Sequence, residues 1–224
     1  MNVARMSHSA CVLDERIYVF GGLDGCGSAL DSCEYYSPVM NRWVALWKMP
    51  VPIYAGSATT LGGKCYIAGG MTHNADDPTP RVRMTMICYD PRSRKWSVPG
   101  YLRMPLCHAT LVNVQGRLLL CGGATYREEK ARKRDLVSVA SIDEYNILTN
   151  SWGFRTKMSS ARQEVSAVTV GSKLYVIGGK NCEDEKIDQT VECYDTTFST
   201  WKNCQFRLPT AVKNVKCVSC HNLK

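Results

Sequence analysis

The sequence has no long apolar run and only four histidines in 224 residues. No stretch of 18 apolar residues occurs, so we expect no helix that spans a membrane. The first eleven residues lack the basic segment and apolar core of a secretory leader, so we expect a protein that is not secreted. We therefore predict a soluble, cytoplasmic protein that does not bind membranes, with the cytoskeleton and the nucleus as alternative locations.

The scarcity of histidine also limits the catalytic chemistry. The four histidines lie far apart and lack the Ser, Cys and carboxylate neighbours of a nucleophilic or acid–base site. Cys217, Cys220 and His221 spell C-x-x-C-H, a haem-attachment pattern, but they fall in a strand-like segment, and no second cysteine pair suits zinc. We predict a protein that is not an enzyme and has no cofactor or metal ion.

Cysteine, in contrast, is abundant, with twelve residues. They lie inside strand-like segments without paired spacing, as at Cys65, Cys88, Cys121 and Cys193. Buried, reduced thiols are therefore expected rather than a disulfide framework. The net charge of +8 favours acidic partners of some kind.

An internal repeat is defined by a strand-like run that ends in Gly-Gly. The first glycines of the pairs lie 48, 53 and 56 residues apart. Glycine at a strand end allows positive φ and close approach of another strand. The four pairs are Gly21 and Gly22, Gly69 and Gly70, Gly122 and Gly123, and Gly178 and Gly179.

Each glycine pair is followed by a Tyr and, seven residues later, by a Trp. These large rings are predicted to pack between neighbouring sheets. Turn-forming residues between them join a third strand to a fourth, so each repeat is predicted to contain four short strands. The pairs are Tyr36 and Trp43, Tyr89 and Trp96, Tyr145 and Trp152, and Tyr194 and Trp201.

The Gly-Gly and Tyr-x6-Trp pattern resembles the kelch repeat, a unit of about 50 residues that forms one four-stranded blade of a β-propeller. The third repeat departs from it, with Leu119 in place of a second-strand Tyr and Asn146 after its Tyr. The resemblance implies an all-β, kelch-type β-propeller of four four-stranded blades and the first strand of a fifth, and thus an incomplete propeller. The blades would span residues 1–48, 49–101, 102–157 and 158–206, with a partial fifth repeat at 207–224.

The loops between Gly-Gly and the repeat Tyr vary most in length, which marks them as candidate binding loops. In the kelch family these loops share one face with the segments that lead into each first strand, and that face binds partner peptides. Arg5 and Arg162 each lie 16 residues before a first glycine, where Ile53 and Leu106 stand in the other repeats. The resemblance implies that these arginines pair with acidic side chains of a partner. The predicted contact residues are Arg5, Tyr54, Arg81, Arg83, His108, Arg127, Arg132, Arg134 and Arg162.

Three functions are compatible with the resemblance. The third-strand sequences, such as CEYYSP, are most similar to propellers that follow BTB and BACK domains in cullin-3 ubiquitin ligase adaptors, which implies recognition of a protein substrate. An actin-binding cytoskeletal kelch protein is the alternative. A galactose-oxidase-like copper enzyme that uses His73 and His108 is the third and least favoured. Nucleic-acid binding is not expected, because the aromatic residues are used between blades instead of alternating with basic residues on exposed strands.

Overall fold

The computed structural model describes residues 1–74, 77–127 and 135–218. Every regular element in these residues is a β-strand or β-bridge, which confirms the all-β prediction. No helix in the described ranges is long and apolar enough to span a membrane.

Four antiparallel sheets of four strands form the blades. The first blade contains β1 Ser9–Leu13, β2 Arg16–Phe20, β3 Cys33–Ser37 and β4 Arg42–Ala45. The second contains β5 Ser57–Leu61, β6 Lys64–Ala68, β9 Thr85–Asp90 and β10 Lys95–Tyr101. The third contains β11 Thr110–Val114, β12 Arg117–Cys121, β15 Ser141–Asn146 and β16 Ser151–Lys157. The fourth contains β17 Ser166–Val170, β18 Lys173–Ile177, β19 Thr190–Asp195 and β20 Thr200–Arg207.

Two further hairpins lie within the long loops of the second and third blades, where the sequence indicated only variable loops. The first pairs β7 Met71–Asn74 with β8 Asp77–Val82, and the second pairs β13 Ala124–Tyr126 with β14 Leu136–Ser138. The expected first strand of a fifth blade is not formed over residues 208–218. The rest of that segment lies outside the described residues.

The chain divides into two compact units, each with its own apolar core. Unit 1 comprises Met1–Cys107 and Ile147–Trp152, and its core lies between the first two blades around Phe20, Ile67 and Tyr89. Unit 2 comprises His108–Asn146 and Gly153–Lys224, and its core includes Leu119, Ile142 and Tyr194. Each of these two cores is formed by residues of two successive blades.

The Tyr and Trp of a repeat face each other across the third and fourth strands. Tyr36 is paired with Trp43, Tyr89 with Trp96, and Tyr194 with Trp201. The ring centroids of these pairs lie 5.4, 4.9 and 5.0 Å apart. The seven-residue spacing thus reflects a turn that places the two rings on directly opposed positions.

The glycine pairs connect consecutive repeats. We call the residue that stands where Arg5 stands in the first repeat the leading residue; it is Ile53, Leu106, Arg162 and Val212 in the later ones. The second glycine of each pair donates its N–H to the carbonyl oxygen of the next leading residue, at 2.8 Å from Gly22 and Gly70, 2.9 Å from Gly123 and 3.0 Å from Gly179. Both glycines of each pair have positive φ, and a Cβ on the first would meet the same carbonyl. Glycine is therefore required at these strand ends.

Candidate functional site

Arg5 lies inside the first blade and is not available to a partner. Its side chain is 0% exposed and Glu34 is 3% exposed, and the two groups form an ion pair of 2.8 Å. The guanidinium also donates to the carbonyl oxygens of Gly21 at 2.7 Å and Ser32 at 2.9 Å. The expected partner contact of Arg5 is therefore replaced by an internal one, which ties the Gly-Gly turn to the third strand.

Arg162 repeats this arrangement in the fourth blade. Its side chain is 1% exposed, pairs with Glu192 and lies 3.5 Å from the carboxylate of Asp188. One nitrogen donates to the carbonyl oxygen of Gly178 at 3.2 Å. Glu192 is buried as well, whereas Asp188 is partly exposed. The predicted partner contact of Arg162 is therefore replaced by an internal ion pair, as for Arg5.

A signal for this pairing is present in the sequence. The two repeats with Arg at the leading position have Glu two residues before the repeat Tyr, at Glu34 and Glu192. In the second repeat both positions are apolar, with Ile53 and Ile87. A buried charge requires a partner of opposite sign, so the Arg and the Glu that occur in the same two repeats are expected to form an internal pair.

The hairpin β7–β8 forms one wall of a pocket in unit 1 with a volume of about 440 Å³. This volume lies within the range typical of ligand sites. The opposite wall is the segment that joins the first blade to the second, and the two predicted arginines of this loop lie at the pocket. The lining residues are Val51, Pro52, Thr72, His73, Arg81, Val82, Arg83 and Met84.

Arg83 carries an uncompensated charge in this pocket. Its guanidinium donates to the hydroxyl of Thr85 at 3.2 Å from Nε and 3.0 Å from Nη2, and it has no carboxylate partner among the described residues. Burial lowers the pKa of Arg83. A half-buried guanidinium without an anion has donors that a bound carboxylate can satisfy. Arg81 lies in β8, is exposed, and is paired with Thr72 of β7.

His73 and Tyr54 support the same pocket. The Tyr54 ring lies edge-on to the His73 ring with centroids 5.4 Å apart, and the Tyr54 backbone pairs with Met71 of β7. Nε2 of His73 accepts the N–H of Ala29 at 3.3 Å, which places the proton of the neutral ring on Nδ1. Nδ1 is buried and has no hydrogen-bond partner in the described structure, so an acceptor from a ligand would complete it.

His108 belongs to a charged group in unit 2. Its backbone carbonyl accepts the N–H of Glu164 at 3.0 Å, and the ammonium of Lys180 lies 3.9 Å from the Glu164 carboxylate. Burial lowers the pKa of His108; Glu164 opposes this change, and Lys180 and Lys216 add to it. Residue 108 also has a φ of +54°. His108 is thus held as a neutral side chain beside fixed charges of both signs.

Arg127 lies at the end of β13 and forms an exposed ion pair of 3.0 Å with Glu183 of the fourth repeat. An exposed pair of this kind contributes less than about 1 kcal/mol, so Glu183 can be exchanged for a partner's carboxylate. Arg132 and Arg134, the other arginines of the predicted basic loop, lie outside the described residues.

The two histidines of the copper-enzyme alternative lie in different units, and each has the local contacts given above. Within the described part of the chain, no group of three potential metal ligands is found. Cys217 donates its backbone N–H to Ser166 at 2.9 Å, while Cys220 and His221 lie outside the described residues. All of the described cysteines are free thiols.

The family model described as "Kelch motif" matches residues 4–50 and 161–205. These segments correspond to the first and fourth repeats, which contain the Arg5–Glu34 and Arg162–Glu192 pairs. The second and third repeats, with Ile53 and Leu106 at the leading position, lie outside the matched segments.

Curated relatives match nearly the whole chain. It is 27% identical to Beta-scruin of Limulus polyphemus over 219 residues, 97% of this chain and 23% of the relative. It is 24% identical to Kelch-like protein 26 of Danio rerio over 217 residues, 97% of this chain and 34% of the relative. Kelch-like protein 36 of Mus musculus is 24% identical over 224 residues, 98% of this chain and 34% of the relative. The chain therefore spans a quarter to a third of the length of these relatives.

A solved structure has the same fold. The structure of YjhT superposes with a TM-score of 0.76 at 15% identity, covering 94% of this chain and 68% of that one. At this identity the likeness shows the fold alone. Together, the repeat motif, the relatives and the fold show that the chain is a kelch-repeat β-propeller that resembles the kelch-like proteins.

Proposed function

We propose that this chain binds an acidic segment of a partner protein at the β7–β8 pocket. Kelch repeats and the kelch-like relatives support a protein-interaction module. The net charge of +8 favours the approach of acidic segments. Binding rather than catalysis is the activity that we assign to the chain.

The observation that carries this proposal is the state of Arg83. It is a partly desolvated cation at a pocket, and two of its guanidinium nitrogens donate to the hydroxyl of Thr85. No carboxylate pairs with it among the described residues. A Glu or Asp side chain of the partner would pair with it, and the proton on Nδ1 of His73 would supply a neighbouring donor. Arg81, at the exposed rim, would add long-range attraction.

The basic loop of unit 2 has a secondary role in this proposal. Arg127 is exposed and already paired with Glu183, so it is expected to accelerate association more than it slows dissociation. We assign the same role to Arg132 and Arg134 from their charge alone, and the predicted partner contact of His108 in unit 2 stays a separate prediction. Arg5 and Arg162 are not part of the binding surface.

The decisive experiment uses a partner obtained by affinity purification of the full-length protein with mass spectrometry. Calorimetry with its acidic segment should show that Arg83→Ala weakens binding about tenfold or more, because a charge-assisted pair contributes about 1.5–3 kcal/mol. The matched control is Arg42→Ala, which removes an exposed arginine in the same unit and should change the affinity less than about twofold. Equal affinities for wild type and Arg83→Ala would exclude this pocket.

For the whole protein, we propose substrate recognition in a cullin-3 ubiquitin ligase adaptor that also contains BTB and BACK domains. The length of the kelch-like relatives, about three times the matched region, leaves room for such domains. Co-purification of cullin-3 with the full-length protein would support this role. Co-sedimentation with actin filaments, without cullin-3, would favour the cytoskeletal alternative and leave the acidic-segment proposal to be decided by the Arg83 variants.

A further inference from the structure

A second pocket of about 430 Å³ opens between the first two blades in unit 1. It is built from residues other than those of the β7–β8 pocket. Aromatic rings and two arginines dominate its wall, and its volume suits a small ligand or a single large side chain. The aromatic and basic residues of its lining are Arg16, Tyr18, Tyr35, Trp47, Tyr89 and Arg94.

The aromatic rings offer surfaces on which a flat group can stack. Trp47 is 65% exposed, and its backbone carbonyl accepts the indole N–H of Trp96 at 3.3 Å, which fixes this residue at the pocket. Tyr35 lies beside Tyr18 with ring centroids 5.6 Å apart. An exposed Trp with an anchored backbone provides contact area at a low cost in side-chain entropy.

The polar groups of the pocket are all suited to an anion. The Arg16 guanidinium lies 5.0 Å from the centre of the Tyr35 ring. Burial raises the pKa of Tyr18, although Arg16 acts in the opposite direction. Burial also raises the pKa of Tyr89, and there Arg94 acts in the opposite direction. Both phenols are therefore neutral hydrogen-bond donors near an arginine, and within the described structure no carboxylate lines the pocket.

The equivalent site between the third and fourth blades contains an internal anion. There the Glu144 carboxylate lies 3.9 Å from Arg117 and 3.6 Å from Arg155. Arg155 in turn donates to the hydroxyls of Tyr194 at 3.2 Å and Ser199 at 3.0 Å. At this position in unit 2, the charged side chains thus have ion-pair and hydrogen-bond partners within the chain.

Alignment of the repeats on the Gly-Gly pairs, for the second strand, and on the Tyr and Trp positions, for the third and fourth strands, shows what differs in unit 1. Arg16 corresponds to Arg117, but Tyr35 replaces Glu144, Leu46 replaces Arg155 and Arg94 replaces Ser199. In unit 1 an aromatic ring, Tyr35, therefore stands in place of the carboxylate, while the site still contains two cations, Arg16 and Arg94. Because Arg16 and Arg94 have no ion pair among the described residues, the pocket between the first two blades lacks the anion that its counterpart contains.

We propose that this pocket binds an aromatic ring that carries a phosphate group. The ring stacks on Tyr35 or Trp47, and the phosphate lies between Arg16 and Arg94 with the phenols of Tyr18 and Tyr89 as further donors. A phosphate dianion balances the two guanidinium charges. Phosphotyrosine in a peptide and a free aryl phosphate share this chemistry.

Calorimetry of the full chain with phenyl phosphate, inorganic phosphate and phenol tests the proposal. Phenyl phosphate should bind at least tenfold more tightly than either fragment. Tyr35→Glu, which restores the carboxylate of the other site, should weaken phenyl phosphate at least tenfold, and Arg94→Ser, which introduces the residue of the fourth blade, should do the same. Arg92→Ala removes an exposed charge from the same turn and should change the affinity less than twofold.

Phenyl phosphate that binds no better than inorganic phosphate would overturn the proposal, as would wild-type affinity in Arg94→Ser when its thermal unfolding is unchanged. A phosphotyrosine peptide distinguishes the two sources. If it binds at least tenfold more tightly than phenyl phosphate, the site is a phosphopeptide site. Equal affinities assign the pocket to a free aryl phosphate.

Discussion

Arg5 and Glu34 form a buried ion pair that connects three separate parts of the first blade. The guanidinium is bound to the Gly-Gly turn and to the start of the third strand, while the carboxylate accepts the backbone N–H groups of Asn2 at 2.7 Å and Val3 at 3.1 Å. In the fourth blade, Glu192 accepts the N–H of Ser159 at 2.8 Å in the same way. The pair therefore fixes the segment that precedes the first strand.

Removal of one partner from such a pair should unfold the blade more easily. Arg162→Ala is expected to lower the free energy of unfolding by about 3–5 kcal/mol, because it leaves the Glu192 carboxylate buried and unpaired. Replacing both residues with Met should cost less than this single substitution. Chemical denaturation of the three proteins provides the comparison. An Arg162→Ala variant with wild-type stability would contradict the structural role.

The free energy of unfolding should depend on pH through Glu34. Burial by itself would raise the pKa of Glu34, but the N–H groups of Asn2 and Val3 and the guanidinium of Arg5 together lower it below its usual 4.5. The stabilisation by a carboxylate of lowered pKa is present above pH 4.5 and is lost as the pH falls through the pKa of the folded state. Glu34→Gln should flatten this part of the urea-unfolding profile, whereas Glu185→Gln, at an exposed residue, should not.

Substitution of two glycines in unit 1 should distinguish the cost of steric overlap from the cost of a left-handed backbone. Gly21 and Gly62 have φ values of +59° and +57°, but a Cβ on Gly21 would overlap the carbonyl of Ile53, whereas one on Gly62 would meet open space. Gly62→Ala should therefore cost about 1–2 kcal/mol from its left-handed backbone alone. Gly21→Ala should cost at least about 2 kcal/mol more. Equal unfolding free energies would show that the contact at Gly21 is not tight.

Thiol reactivity should follow burial. Cys26 is exposed, while Cys33 and Cys121 are buried. Burial raises the pKa of Cys33 to about 12 and that of Cys121 further, so neither forms appreciable thiolate at neutral pH. With iodoacetamide at pH 7, mass spectrometry should find Cys26 labelled first and these two last. Labelling of all three at similar rates, without denaturant, would contradict the compact blades.

The sequence predicted the blades well because each repeat solves the same packing problem with the same residues. Gly-Gly and the Tyr–Trp spacing identified the ends of the second strands and the third-to-fourth turns. The hairpins β7–β8 and β13–β14 were missed, since each occurs in one repeat and has no counterpart to compare. In the tail, 208–218 contains no strand, although Val212 takes the place of a leading residue at Gly179.

Three of the predicted contact residues belong to adjacent segments of one repeat. Arg81 and Arg83 line the β7–β8 pocket, and the Tyr54 ring contacts His73 of its lining. Their role in binding a partner stays a prediction. Arg5 and Arg162 were predicted to contact a partner, but their side chains are buried in internal ion pairs. Spacing alone gives the position of a residue in the repeat, but whether its side chain points inward depends on a partner 29 or 30 residues away.

The hydrogen bond between a second glycine and the next leading residue involves backbone atoms only. As a result, Ile53, Leu106, Arg162 and Val212 all make the same connection despite their different side chains. Blades joined in this way can be duplicated, exchanged or diverge without loss of the joint, provided that both glycines remain. This tolerance gives a physical reason why a chain can keep the fold of a protein with which it shares 15% of its residues.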